Sequence, residues 1–114
     1  MKLKNSEVAS LHHALSNLES CRFTASIGMR LSWNLHLLKD PFILLQSTER
    51  RIRGESKNPQ EALDNWNIFL SEDFPAEVAL KTVKMDDLQI EKNGIPVGIV
   101  SSLFPIIEDI EEAH

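Results

Sequence analysis

A single cysteine, Cys21, among 114 residues excludes an internal disulfide framework and makes a reducing compartment the expectation. No apolar run approaches the ~18 to 20 residues of a membrane span, so no membrane contact is expected. The opening MKLKNSE lacks the apolar core of a signal peptide, which again points to a cytoplasmic protein. Internal repeats and low-complexity segments are missing as well. Nothing in the chain forms a catalytic or cofactor-binding signature, so the expectation is a protein without enzymatic activity and without a cofactor.

What is present is ordinary for a globular chain, with 42% hydrophobic and 25% charged residues. One domain over residues 1–114 is expected, long enough to bury roughly two thirds of its unfolded surface. The formal charge of −5 is unevenly spread. Residues 1–57 carry nine Lys/Arg and five Asp/Glu, a net +4, and residues 58–114 carry three and twelve, a net −9. The acidic half argues against broad nucleic-acid affinity, which needs phosphates neutralised by Lys and Arg. It suits a solvated face or a basic protein partner.

The dominant stretch is Thr24 to Gly54. Ile27, Leu31, Leu35, Leu38, Phe42, Leu45 and Ile52 recur in steps of three, four and seven, which places them on one side of a helix. Trp33, Leu37 and Leu44 fall beside that stripe and widen it, so the face calls for cover from more than one element. Pro41 is the obstacle, since proline inside a helix removes a hydrogen bond and clashes with the preceding turn at about 3 kcal/mol. Asp40-Pro41 reads equally as a cap and first residue of a new helix. A kink or short break is therefore expected there.

Around this stretch the other elements are shorter. Val8, Leu11, Leu15 and Leu18 predict a first helix from Ser6 to about Glu19, capped by Asn5. Asn58-Pro59-Gln60-Glu61 is a helix start, with a cap, proline at the first position and an acid in the first turn. That helix is expected to end near Asp73. In Glu77–Lys84 the period changes to two, which suits a half-buried strand, with a helix as the other reading. Lys92-Asn93-Gly94 signals a turn, and Pro96 to Phe104 a short helix. The fold class that follows is mainly α with an α+β admixture. It comprises about four helices around a long central one, and a small two-stranded sheet joining Lys2–Lys4 to Val78–Val83. Residues from about 108 to 114 are expected to form a frayed acidic tail.

Candidate chemistry is sparse. His12 and His13 are adjacent, so they point about 100° apart on a helix and cannot chelate as an i, i+4 pair would. Cys21 has no local base to activate it. Asp86-Asp87 and Glu108-Asp109 are carboxylate pairs of the kind that turns and helix ends hold, so no metal or catalytic site is expected. Arg50, Arg51 and Arg53, with Lys57, form the one basic cluster; it can meet phosphates or an acidic partner, and it also suits a helix C-terminus. No aromatic is interleaved with it for base stacking. Trp33 and Trp66 stand beside leucines on predicted helices; buried, they are core, and exposed, they mark a binding hot spot.

The opening MKLKNSEVASLHHAL, the segment RLSWNLHLL within the long helix, and the closing order VALKTVKMDDL then IPVGIVSSLFPIIED give a layout. It resembles a family of short, uncharacterised tailed-bacteriophage proteins, a domain of unknown function. Pro41, Gly98 and Pro105 depart from that pattern, where better helix formers are expected. The resemblance implies a phage or prophage product in the bacterial host cytoplasm and carries over no active-site residue. The expectation is thus a helical, phage-type accessory protein acting by protein–protein interaction. It would bind or inhibit a host or phage protein, or aid assembly, through Trp33, Trp66, Arg50, Arg51 and Arg53. Self-association into a dimer is open to a chain with so wide an apolar face. The alternative is a nucleic-acid-binding accessory protein using the Arg50–Arg53 cluster.

Overall fold

Thr24 starts the longest element. Its hydroxyl accepts a hydrogen bond from the Ile27 amide at 3.4 Å, satisfying one of the donors left open in a first helical turn. The computed structural model describes residues 1–108. In it, helix α2 runs from Ala25 to Glu55, 31 residues, without interruption at Pro41. At 1.5 Å per residue that is about 46 Å, close to the 48 Å longest dimension of the molecule. The expected break, with Asp40 as a cap, is not seen. Leu38 and Leu45 are buried on either side of the proline, and the Phe42 ring stacks on His12 with centroids 3.8 Å apart. Burying a leucine contributes about 1.5–3 kcal/mol, so two of them offset a proline penalty of about 3 kcal/mol.

Helix α1, Asn5–Asn17, is the hub of the fold: it lies against α2, α3 and α5. The long helix was expected to hold that place. The reason for the difference is that Val8, Leu11, Ala14, Leu15 and, just beyond the helix, Leu18 are all buried on the short helix. On α2 full burial is confined to Leu31, Asn34, Leu38 and Leu45. Asn5 is not the cap of α1. Lys4 holds that place, its amide donating to the Glu7 carboxylate at 2.8 Å. Asn5 is instead buried, its amide Nδ2 donating to the Phe69 carbonyl of α3 at 2.8 Å.

Helix α3, Pro59–Ser71, begins as expected, with the Asn58 side chain accepting from the Glu61 amide at 2.9 Å. It packs on α2 and α1. Beyond it the chain is largely irregular: a 3-10 turn at Met85–Leu88, a single helical turn α4 at Ile90–Asn93, helix α5 at Val97–Ser102, and a second 3-10 turn at Phe104–Ile106. Gly94 ends α4 in the left-handed region, φ +63°, where a side chain would be strained. Phe74, Val78, Val83, Leu88, Ile95, Leu103, Ile106 and Ile107 from this half complete the core.

No strand forms among the described residues, and the predicted sheet is replaced by two isolated bridges, Lys4 with Asp73 and Val83 with Ile107. The cause lies in residues 78–83. The Leu80 amide turns back onto the Val78 carbonyl at 2.9 Å, a one-residue reversal that breaks the alternation. Two side chains of α2 then take the backbone that a neighbouring strand would have paired. Asn34 donates to the Lys81 carbonyl at 2.8 Å and accepts from the Lys81 amide at 2.7 Å. Arg30 donates to the Thr82 carbonyl at 2.8 Å. Glu108, expected to begin a frayed tail, is held by its amide on the Val83 carbonyl at 2.9 Å and by its carboxylate, which accepts from the Thr82 hydroxyl at 2.7 Å. The rest of that expectation concerns 109–114, outside the described residues.

If Pro41 is a tolerated defect in a continuous helix, Pro41→Ala restores the hydrogen bond to the Leu37 carbonyl. Denaturant unfolding should then show a gain of about 1–3 kcal/mol; a loss of stability would mean that the proline shapes a bend the packing requires.

Candidate interaction surface

The residues singled out in the sequence do not form one site. Trp33 and Arg50 are 17 positions apart on α2, about 26 Å along its axis. Trp33 is 48% exposed, its ring tilted against His36 at 6.0 Å. It lines a shallow apolar cleft with Met29, Arg30, Leu80, Lys81 and Thr82. The expectation that Trp33 and Leu44 widen the buried stripe fails, because the irregular segment 78–83 covers the Arg30–Asn34 flank of α2 and leaves the next one bare. Met29 is 74%, Ile43 46% and Leu44 59% exposed on that bare flank.

Trp66 lies on α3, half-buried and stacked on Phe69 at 5.5 Å. This is the core-edge outcome for a tryptophan beside leucines. Yet α3 fully buries none of its side chains, and Leu63 and Ile68 are 52% and 59% exposed. The helix is held by its inner edge only.

Arg50, Arg51 and Arg53 are exposed in the last turns of α2, with Lys57 in the linker that follows. Arg53 is bound to Glu49 one turn back, Nη2 to Oε2 at 2.8 Å. An exposed i, i+4 pair of this kind contributes about 0.3–0.5 kcal/mol. Among the described residues Arg50, Arg51 and Lys57 form no ion pair. The α2–α3 end of the molecule is therefore a basic tip next to a loosely covered helix.

Of the paired carboxylates, Glu108 is bound to Thr82 as described above and Asp87 is engaged within its own turn. Asp87 accepts from the Lys84 amide at 3.0 Å and caps a 3-10 turn. Cys21 lies half-buried in a cleft with Leu15, Leu18, Phe23 and Leu31. Among the described residues no group of three or more His, Cys, Asp or Glu side chains is placed to hold a metal.

Asparagine is the residue type that sequence reasoning missed. Asn34 sits three residues after Leu31 and four before Leu38, a polar residue at a core position of the stripe, and that misfit was a readable signal. Asn93 makes the same kind of contact, accepting from the Arg22 amide and donating to the Arg22 carbonyl, both at 3.0 Å. Here the turn composition of Lys92-Asn93-Gly94 hid it.

Compared with family models, curated proteins and solved structures, the chain matches none. The surface alone carries the functional argument.

His12 gives a pH signature. Burial against Phe42, and secondarily the charge of His13, hold its pKa below the ordinary 6.5. The unfolded chain then takes up this proton first on acidification. Stability is highest above about pH 6.5 and declines as the pH falls through that value. Urea midpoints from about pH 7.5 to 5.5 should fall more steeply for the native chain than for His12→Phe, which keeps the stack without the charge. Equal slopes would contradict this.

Proposed function

We propose that the protein is a non-enzymatic accessory protein of the tailed-phage type. It works by protein–protein contact in the host cytoplasm, binding or inhibiting a host or phage protein or aiding assembly. The observation that supports this reading best is α3, a helix with no fully buried side chain that leaves Leu63 and Ile68 half-exposed beside the basic tip. A large apolar side chain left in water lowers the free energy on contact, at about 25 cal/mol per Å² removed from solvent. Arg50, Arg51 and Lys57 add long-range attraction towards an acidic partner surface. The mechanism is occlusion: α3 and the end of α2 cover a functional face of the partner.

The second reading is nucleic-acid binding through Arg50, Arg51 and Arg53, favoured by Arg50 and Arg51 being exposed and, among the described residues, without an ion pair. The two readings part in one experiment. Affinity purification from bacterial lysate should yield one stoichiometric protein, lost with Leu63→Glu/Ile68→Glu while the variant's own unfolding free energy changes by no more than about 0.5 kcal/mol. Duplex DNA binding that falls steeply with salt and collapses in Arg50→Ala/Arg51→Ala/Arg53→Ala, with no protein retained, would replace the first reading by the second.

A further inference from the structure

On the bare flank of α2 the side chains Met29, Trp33, His36, Asp40 and Ile43 follow one another in steps of four and three, and Leu44 lies four beyond Asp40. This is the rhythm of a seam between two helices. All six are exposed. We propose that this flank is the contact between two copies of the chain, paired antiparallel about a two-fold axis near Leu37.

The order of residues selects a second copy as the occupant. The apolar side chains come as two pairs, Met29 with Trp33 and Ile43 with Leu44, on either side of a polar centre made by His36 and Asp40. A two-fold axis through that centre lays the first pair of each copy on the second pair of the other, so every apolar side chain is covered by its own sequence reversed. This is the self-complementarity an isologous contact requires. The same register brings His36 within one turn of Asp40 of the second copy, twice over. It also gives the Trp33 indole N–H that carboxylate as an acceptor, so the polar centre is matched on burial. Parallel pairing in register would instead place Asp40 on Asp40 and Arg50 and Arg51 on their own copies, like charges facing each other. The contact runs from Met29 to Leu44, about 22 Å of helix. It lies on a flank that α1 and the 78–83 segment leave open, and antiparallel pairing sets the two α3 arms at opposite ends. The proposal stands independently of what α3 binds.

Sedimentation of the full chain over a micromolar concentration series should give a species near twice 12.9 kDa. Trp33→Glu/Leu44→Glu should raise the dimer dissociation constant by about 100-fold or more with an unchanged helical circular dichroism spectrum, since both side chains are exposed. Orientation is read in a Cys21→Ser background. An equimolar mixture of Met29→Cys and Leu44→Cys chains should form the mixed disulfide faster than either chain alone forms its own. A native chain that stays at 12.9 kDa, a dimer that survives the double glutamate variant, or a preferred Met29→Cys disulfide with itself would each overturn the proposal.

Discussion

The side-chain amide of Asn34, bound to both the amide and the carbonyl of Lys81, is the contact on which the rest of the structure depends. A carboxamide presents a donor and an acceptor in the same spacing as a peptide group, so one asparagine can replace one rung of a sheet. The rung lies in a fully buried position on α2, where unmade hydrogen bonds cost about 1–3 kcal/mol each. It holds Val78 and Val83 in the core beside α1 and α2. The same device recurs where Asn93 grips Arg22, and in weaker form where Asn5 reaches Phe69. The residue pairs are 47, 71 and 64 positions apart. An irregular half-chain can supply half a hydrophobic core only if its backbone groups find partners; Asn34 does this for Lys81, and Asn93 ties the irregular half back to the Arg22 backbone.

That arrangement explains the division of labour among the helices. Helix α1 is short and sits in the middle, covered by helices on several sides. Helix α2 is long and buries a narrow stripe, so most of its circumference is free. Its continuity through Pro41 comes from packing on both sides of the proline, not from helix propensity. Because the irregular segment is clamped over the Arg30–Asn34 flank, the neighbouring flank stays bare. The exposure of Trp33 is thus a consequence of the Asn34 contact. The basic tip and the α3 arm lie at the far end of the same helix, which gives the molecule two separate surfaces.

How much of this was legible in the residues follows from the range of the interactions. Two local signals were reliable: Asn58-Pro59 starts α3 and Gly94 closes a turn, each through contacts within four positions. The stripe through Leu31, Leu38 and Leu45 was equally clear from period. The sheet was not, because alternation in Val78, Leu80 and Thr82 describes an extended chain without saying what pairs with it. That choice was made by Asn34, 47 residues away. The cap of α1 was misplaced because Asn5, the better capping residue by type, was recruited across the fold to Phe69. Of the candidate surface, the basic cluster was visible in composition, whereas the exposure of Met29, Trp33, Ile43 and Leu44 depends on which flank of α2 the rest of the chain covers.

The most direct measurement is native-state hydrogen exchange at the Lys81 amide, in the native chain and in Asn34→Leu, which keeps the branched shape of the side chain and removes both hydrogen bonds. Lys81 should be strongly protected in the native chain. In the variant, exchange across 78–83 should accelerate by about 100-fold, the equivalent of about 2.7 kcal/mol, well beyond any change at the amides of α1. Protection of 78–83 that falls only in step with α1, or does not fall at all, would contradict the claim that Asn34 fixes this segment.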